Sequence, residues 1–227
     1  MTITRTDADL QTRDAVLRQL DWDPDVEAGG IGVTARDGTV TLTGYADSYA
    51  AKLAAERAAK RVRGVRAVAN ELDVRLKLGR TDPDIAADAA RALDLWAALP
   101  PAVQAVVHDG HITLTGTVGS LYQVRAAERA VSHVAGVRGV FNHITVASGV
   151  VARDVRRRIL EAMQRSAELD PRQVDVTVTG TFATLTGFVT TWRQRETAER
   201  AAAAAPGISR VVNEILVQPI EPVDDMC

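Results

Sequence analysis

Apolar and polar positions follow two rhythms along this chain, and the rhythms alternate. Leu10, Leu17 and Leu20 stand at helical spacing, as do Ile85, Ala89 and Leu93, and again Val155, Ile159 and Met163. Each set makes one apolar stripe and predicts an amphipathic helix. Behind the first two stripes the period shortens to two. Ile31, Val33 and Ala35 precede Val40 and Leu42, and Val103, Ala105 and Val107 precede Ile112 and Leu114. These are paired strands, joined at Asp37-Gly38 and Asp109-Gly110, dipeptides suited to a tight turn that needs positive φ. A second, alanine-rich helix follows, carrying Ala54 and Ala58, then Ala126 and Ala130, then Ala198 and Ala201. A third strand closes each unit: Val68-Asn70-Leu72-Val74, Val140-Asn142-Ile144-Val146 and Val211-Asn213-Ile215-Val217 all share one face by the two-residue period.

The pattern is a threefold internal repeat. Asp37-Gly-Thr-Val-Thr-Leu-Thr-Gly44 returns as Asp109-Gly-His-Ile-Thr-Leu-Thr-Gly116. It returns again as Gly180-Thr-Phe-Ala-Thr-Leu-Thr-Gly187, which reads as having one residue added and predicts a bulged or three-residue turn. The closing glycines lie 72 and 71 residues apart. Beyond them Glu56-Arg57, Glu128-Arg129 and Glu199-Arg200 keep one register, as do Gly64, Gly136 and Gly207, and Asn70, Asn142 and Asn213. Ser48, Ser120 and Thr191 are N-cap residues for the second helix, with Gln123 and Gln194 completing capping boxes. The glycines Gly64, Gly136 and Gly207 stand where that helix ends in a left-handed residue. The asparagines share parity with core valines and read as buried side chains tying a turn's backbone together.

A helix lies between strands two and three, so their pairing is parallel, by a right-handed crossover. The expected architecture is α/β (α+β): three tandem small αββαβ two-layer sandwiches, each a three-stranded mixed sheet packed by two helices. The boundaries fall at 1–78, 79–148 and 149–219, with a flexible tail over 220–227. At about 70 residues, each unit sits near the lower limit for independent stability. The face of each sheet opposite its helices, rich in Thr39, Thr41, Thr43, Thr113 and Thr115, must be covered or left wet. Another repeat or a second chain, in a homo-oligomer, could cover it.

The succession of helix, D-G-x-V-x-L-x-G hairpin, alanine-rich helix with Glu-Arg, G-V-x-x-V-x-N and final strand resembles the BON domain (bacterial OsmY and nodulation). The resemblance runs through nearly the whole chain as three tandem copies. It implies a non-enzymatic, OsmY-like protein associated with stress, with phospholipid surfaces and with chaperone-like activity, and one branch of the family senses potassium.

Composition agrees with a folded, non-membrane class. Of 227 residues, 46% are hydrophobic and 25% charged, and no apolar run approaches a bilayer span. The first ten residues have no apolar core of a secretory signal, so the expected location is cytoplasmic, within reach of the inner membrane face. The one cysteine, Cys227, excludes an internal disulfide. All four histidines (His108, His111, His133 and His143) fall in the second repeat; His108 and His111 flank its turn. Without cysteine to help, they read as surface residues, and no metal or cofactor is expected. The acidic run Asp21-Trp-Asp-Pro-Asp-Val-Glu27 fails as an EF-hand loop, with Val26 where glycine is required. Trp22 and Trp96 end first helices and Trp192 opens a second helix; aromatics so placed are expected to cover a thin core.

Charge narrows the partners. Basic against acidic residues count 12 to 12, 5 to 6 and, for repeat 3 taken with its tail to residue 227, 10 to 11, so none has the excess that nucleic acid demands. Locally, however, Arg57, Lys60, Arg61 and Arg63 cluster on the second helix of repeat 1, and Arg156 and Arg157 on the first helix of repeat 3. These are the candidate contacts for an anionic phospholipid surface or a protein client. No Ser/His/Asp set, catalytic carboxylate pair or phosphate-cradling loop stands out. Two functions stay open: a stress-associated interaction module, or a small-ligand or cation (potassium-type) sensor whose domains reorient on binding.

Overall fold

The computed structural model describes residues 5–75, 79–95, 103–147, 152–166 and 173–218. Trp96, Lys77, the segment 149–151 between repeats and the tail 220–227 lie outside them.

Repeat 1 runs α1 (Arg5–Trp22), a 3₁₀ turn (Ala28–Gly30), β1 (Ile31–Arg36), β2 (Thr39–Ala46), α2 (Tyr49–Lys60) and β3 (Ala67–Val74). The sheet order is β1-β2-β3. β1 and β2 are antiparallel, from Ile31 opposite Gly44 to Arg36 opposite Thr39. β3 joins parallel, from Thr39 opposite Ala67 to Ala46 opposite Val74. Both central residues of the hairpin are left-handed, Asp37 at φ 53 and Gly38 at φ 77, the pattern of a type I′ turn that matches strand twist.

Repeat 2 follows the same order: α3 (Asp82–Leu95), β4 (Gln104–His108), β5 (His111–Val118), α4 (Leu121–Ser132) and β6 (Gly139–Val146), with sheet order β4-β5-β6. Repeat 3 comprises α5 (Ala152–Gln164), β7 (Val174–Thr179), β8 (Phe182–Val189), α6 (Trp192–Ala204), β9 (Arg210–Asn213) and β10 (Leu216–Val217). Its last two strands are one strand interrupted at Glu214 and Ile215. Leu185 opposes Asn213 and Phe188 opposes Leu216, so the register continues through the break. The molecule is three repeats of a two-layer α/β unit, with six α-helices among the described residues. By contacts, the chain also divides into two compact units. One is Met1–Ala92 with Ala105–Thr113 and Arg129–Phe141; the other is Leu93–Gln104, Leu114–Glu128 and Asn142–Cys227.

The core of repeat 1 is Val16 and Leu20 from α1, Ile31, Val33, Val40 and Leu42 from the hairpin, Leu72 from β3, and Ala55, Ala58 and Ala59 from α2. Alanines let the helix lie close on the sheet. Repeat 3 repeats the arrangement with Val155, Ile159 and Met163 against Val174, Val176, Leu185, Ala198 and Ala202. Leu10 departs from its predicted place. It is 43% exposed, and Val16 carries the stripe instead, one turn before Leu20.

Three other expectations need correction. The hairpin of repeat 3 contains no extra residue: Thr179 pairs with Phe182, leaving two turn residues as in the other copies. Gly180 takes the position of Asp37 with φ 60, and Thr181 is not left-handed, the pattern of a type II′ turn. Second, α2 ends at Lys60, four residues before Gly64. A further turn, closed by Val62 N–H to the Ala59 carbonyl and Val65 N–H to the Val62 carbonyl, precedes the glycine's left-handed step at φ 91. Third, Trp22 and Trp192 do not cover the core; they are 85% and 68% exposed.

The repeat glycine within β2 has a reason that spacing does not reveal. Gly44 sits at φ 104, and a Cβ there would overlap the carbonyl oxygen of Gly30; at Gly187 the obstacle is the Gln173 carbonyl. In these two repeats the backbone entering the sheet crosses too near for any side chain.

Candidate interaction surface

The polar residues repeated in all three copies meet one another. Asn70 Nδ2 donates to the Lys52 carbonyl at 3.0 Å and to Glu56 at 3.2 Å, while Asn70 Oδ1 accepts the Leu72 N–H at 3.4 Å. Asn142 bonds the Val124 carbonyl, Glu128 and the Ile144 N–H in the same way, and Asn213 the Arg195 carbonyl, Glu199 and the Ile215 N–H. Each half-buried asparagine thus latches the third strand to the second helix, rather than tying a turn. Glu56 also accepts from Lys60 at 2.5 Å. Burial pushes its pKa up, but hydrogen bonds from Lys60 and Asn70 and the charges of Lys60 and Lys52 outweigh this and hold it below the ordinary value. These glutamates are committed to the latch.

Helix starts are also satisfied locally. Ser48 accepts the Ala51 N–H at 3.1 Å, and Thr191 with Gln194 forms a reciprocal capping box. In repeat 2, Gln123 reaches back to the Gly119 N–H at 2.8 Å. A carboxylate at the start of each of the first two repeats grips the hairpin tip. Asp9 accepts the Asp37 N–H at 2.9 Å, and Asp82 accepts those of Asp109 and Gly110 at 2.8 and 2.9 Å. The two N–H groups, that of Gly110 foremost, lower the Asp82 pKa. Ligand atoms of Asp82, His108 and Asp109 lie within 4.8 Å of one another, a grouping that spacing alone did not suggest. Both Asp82 oxygens already serve the turn, and the positive charge of Arg138 is felt there, which argues against a cation seat.

The cations fall into two kinds. Arg57, Lys60, Arg61 and Arg63 are all exposed at the C-terminal end of α2 and just beyond it. Lys60 pairs with Glu56, and Arg61 pairs with Asp23 at 2.6 Å. Arg57 and Arg63 make no ion pair among the described residues. Arg156 and Arg157 on α5 are occupied: Arg156 donates to the Val176 carbonyl at 2.7 Å and to Asp175, which its guanidinium holds below the ordinary pKa, and Arg157 bridges Asp154 and Glu161.

Against known families, the BON domain matches three times, over residues 8–75, 81–148 and 152–219. The chain belongs to the BON domain family. BON domains are generally non-catalytic binding modules with membrane and stress associations. No curated protein matches the chain. Two solved structures share its span. One is CdsD, described as a structural protein of the type III secretion system of Chlamydia trachomatis, at 15% identity over 92% of each chain with a TM-score of 0.28. The other is described as the C-terminal domain of CdsD, at 14% identity over 91% of this chain and 96% of that one, TM-score 0.27. Superposition that loose carries no argument here.

The open sheet faces of the BON repeats are not uniformly polar. Repeat 2 exposes Val106 and Phe141, with His111 stacked on Phe141 at 6.0 Å, and repeat 3 exposes Phe182, Phe188 and Leu216. Trp192 lies 5.6 Å from the Arg195 guanidinium. No described helix is long and apolar enough to cross a membrane.

Proposed function

We propose that this tandem BON protein is a non-catalytic interaction module that docks on anionic phospholipid surfaces through the C-terminal end of α2. The observation that carries the reading is Arg57 and Arg63 standing exposed without ion-pair partners among the described residues, flanked by Lys60 and Arg61, whose side chains are 58% and 59% exposed. Near a charged bilayer each such cation contributes about 1 kcal/mol. Arg156 and Arg157 add a weaker second contact, since their guanidinium groups already serve Val176, Asp175, Asp154 and Glu161. The modules are taken as 1–78, 79–148 and 149–219. The competing cation-sensor reading draws on the acidic run after α1. Asp23 of that run gives one oxygen to the Asp25 N–H and the other to Arg61, which favours the surface-binding reading. Co-sedimentation with vesicles of neutral and of anionic lipid, at low and raised salt, tests it. Binding confined to anionic vesicles and weakened by salt is expected. Equal binding to both vesicle types, or none, overturns it and moves a client-protein role ahead.

A further inference from the structure

The hairpin tip of repeat 2, the start of α3 and the turn after α4 border an open cavity of about 440 Å³, lined by Arg80, Asp82, Asp109, Gly110, Gly136 and Arg138. Repeat 1 has a smaller one of about 300 Å³ in the same place, where Asp9, Asp37, Gly38, Gly64 and Arg66 stand for the last five of these. In both repeats the arginine stem lies on the hairpin glycine. A Cβ on Gly110 would meet Arg138 Cγ and Cδ at 3.2 and 3.3 Å, and one on Gly38 would meet those of Arg66 at 3.1 and 3.2 Å. Repeat 2 adds a second arginine. Arg80 passes Gly136 so closely that a Cβ on the glycine would lie 2.9 Å from the arginine's own Cβ. Two residues before Asp9, repeat 1 has Asp7 instead.

The donors of these two arginines are not all used. Arg80 gives Nη2 to Asp88 and to the Asp84 carbonyl. Its Nε is the one buried side-chain nitrogen or oxygen without a hydrogen-bond partner among the described residues. Such a donor has lost water and gained no bond in exchange. Arg138 is exposed, and its guanidinium makes no hydrogen bond or ion pair among the described residues. Of the two carboxylates, Asp82 is held by the Asp109 and Gly110 N–H groups, and Asp109 stands 83% exposed beside His108. Two guanidiniums with open donors therefore face two carboxylates. That balance suits a singly charged anion and disfavours a dianion. A carboxylate also matches the planar fork of a guanidinium.

We infer that the cavity of repeat 2 binds a carboxylate between Arg80 and Arg138, the Arg80 side chain turning to bring Nε to one of its oxygens. Repeat 1, with a single arginine, does not share the site. The inference does not rest on lipid binding, and its test contains no lipid.

Two-dimensional ¹H–¹⁵N NMR of the full chain reads it, with acetate, N-acetylglycine or neutral acetamide titrated at constant ionic strength. Both acids should shift the Gly110 and Gly136 amides and the Arg80 Nε–H saturably, and acetamide should not. Tighter binding of N-acetylglycine assigns the C-terminus of a peptide as the occupant; otherwise the occupant is a small organic acid. Arg138→Gln should weaken binding about tenfold, the loss of one charge-assisted hydrogen bond. Arg80→Gln should weaken it at least as much. That variant also loses the Asp88 pair, so its urea midpoint is measured alongside, and Arg138→Gln carries the test if it unfolds. Arg66→Gln, the counterpart in repeat 1, should leave binding unchanged. Shifts that stay linear with both acids, or that acetamide reproduces, overturn the inference. So does affinity that Arg138→Gln leaves unchanged, or tighter binding of inorganic phosphate than of acetate.

Discussion

Asn142 spends one side chain on three partners: the Val124 carbonyl, Glu128 and the Ile144 N–H. Asn142→Ala leaves a half-buried carboxylate and two backbone groups short of a partner, a loss of about 1–3 kcal/mol. Urea denaturation of the variant should show a lower midpoint at unchanged slope; coincident midpoints would remove the latch from the account. The glutamate end of the latch carries a pH signature in repeat 1. Glu56 has a lowered pKa in the fold, so its stabilisation is complete above the ordinary value of 4.5 and is lost as pH falls through the lowered one. Glu56→Gln should therefore be less stable than the parent at neutral pH and converge with it in acid. Thermal midpoints from pH 7 downward check this, and a gap that stays constant or widens in acid contradicts it. From the sequence, the asparagines are visible as members of the repeat and their parity places them beside the core. Their glutamate partner is not visible, because it lies 14 residues away, across the turn from helix to strand.

At the level of elements, sequence reading succeeds where the determinant is local. The caps at Ser48 and Thr191 and the Asp-Gly turns depend on residues within a few positions, and they stand where the spacing puts them. It fails where a distant contact decides. Leu10 has helical spacing but is left 43% exposed while Val16 takes the core position, and Trp22, at the helix end, is 85% exposed. The glycines after the second helix combine both kinds of cause. Gly136 is at φ 97, and a Cβ there would lie 2.9 Å from Ile85 Cγ1 and Cδ1, on the core stripe of α3. Gly136→Val should cost about 1–3 kcal/mol for the backbone and a similar amount for overpacking. A denaturation midpoint equal to the parent's would contradict the left-handed turn; Gly119→Ala, at an exposed position whose φ is not left-handed, should be much milder.

For the whole molecule, repetition was legible from the register of Glu-Arg, glycine and asparagine, but the dependence of one repeat on the next was not. The contacts of Gly119 and Leu121 with Gly207 and Ile208, and of Arg125 with Glu199, join residues more than 70 positions apart. Residues 79–148 expressed alone lose all of them and bury little surface, so they should unfold at lower denaturant and less cooperatively than the full chain. A transition matching the full chain's would mean that the repeats stand independently. The central claim is that the cations at the end of α2 meet an anionic surface, and removing them tests it most directly. Arg57→Gln with Arg63→Gln should leave the urea midpoint nearly unchanged, since exposed charges contribute about 0–1 kcal/mol each. Flotation with anionic liposomes at low salt should then show an affinity about 2 kcal/mol weaker, close to thirtyfold, at about 1 kcal/mol per charge removed, while the parent in raised salt falls toward the variant. Equal flotation of parent and variant at low salt would contradict the claim.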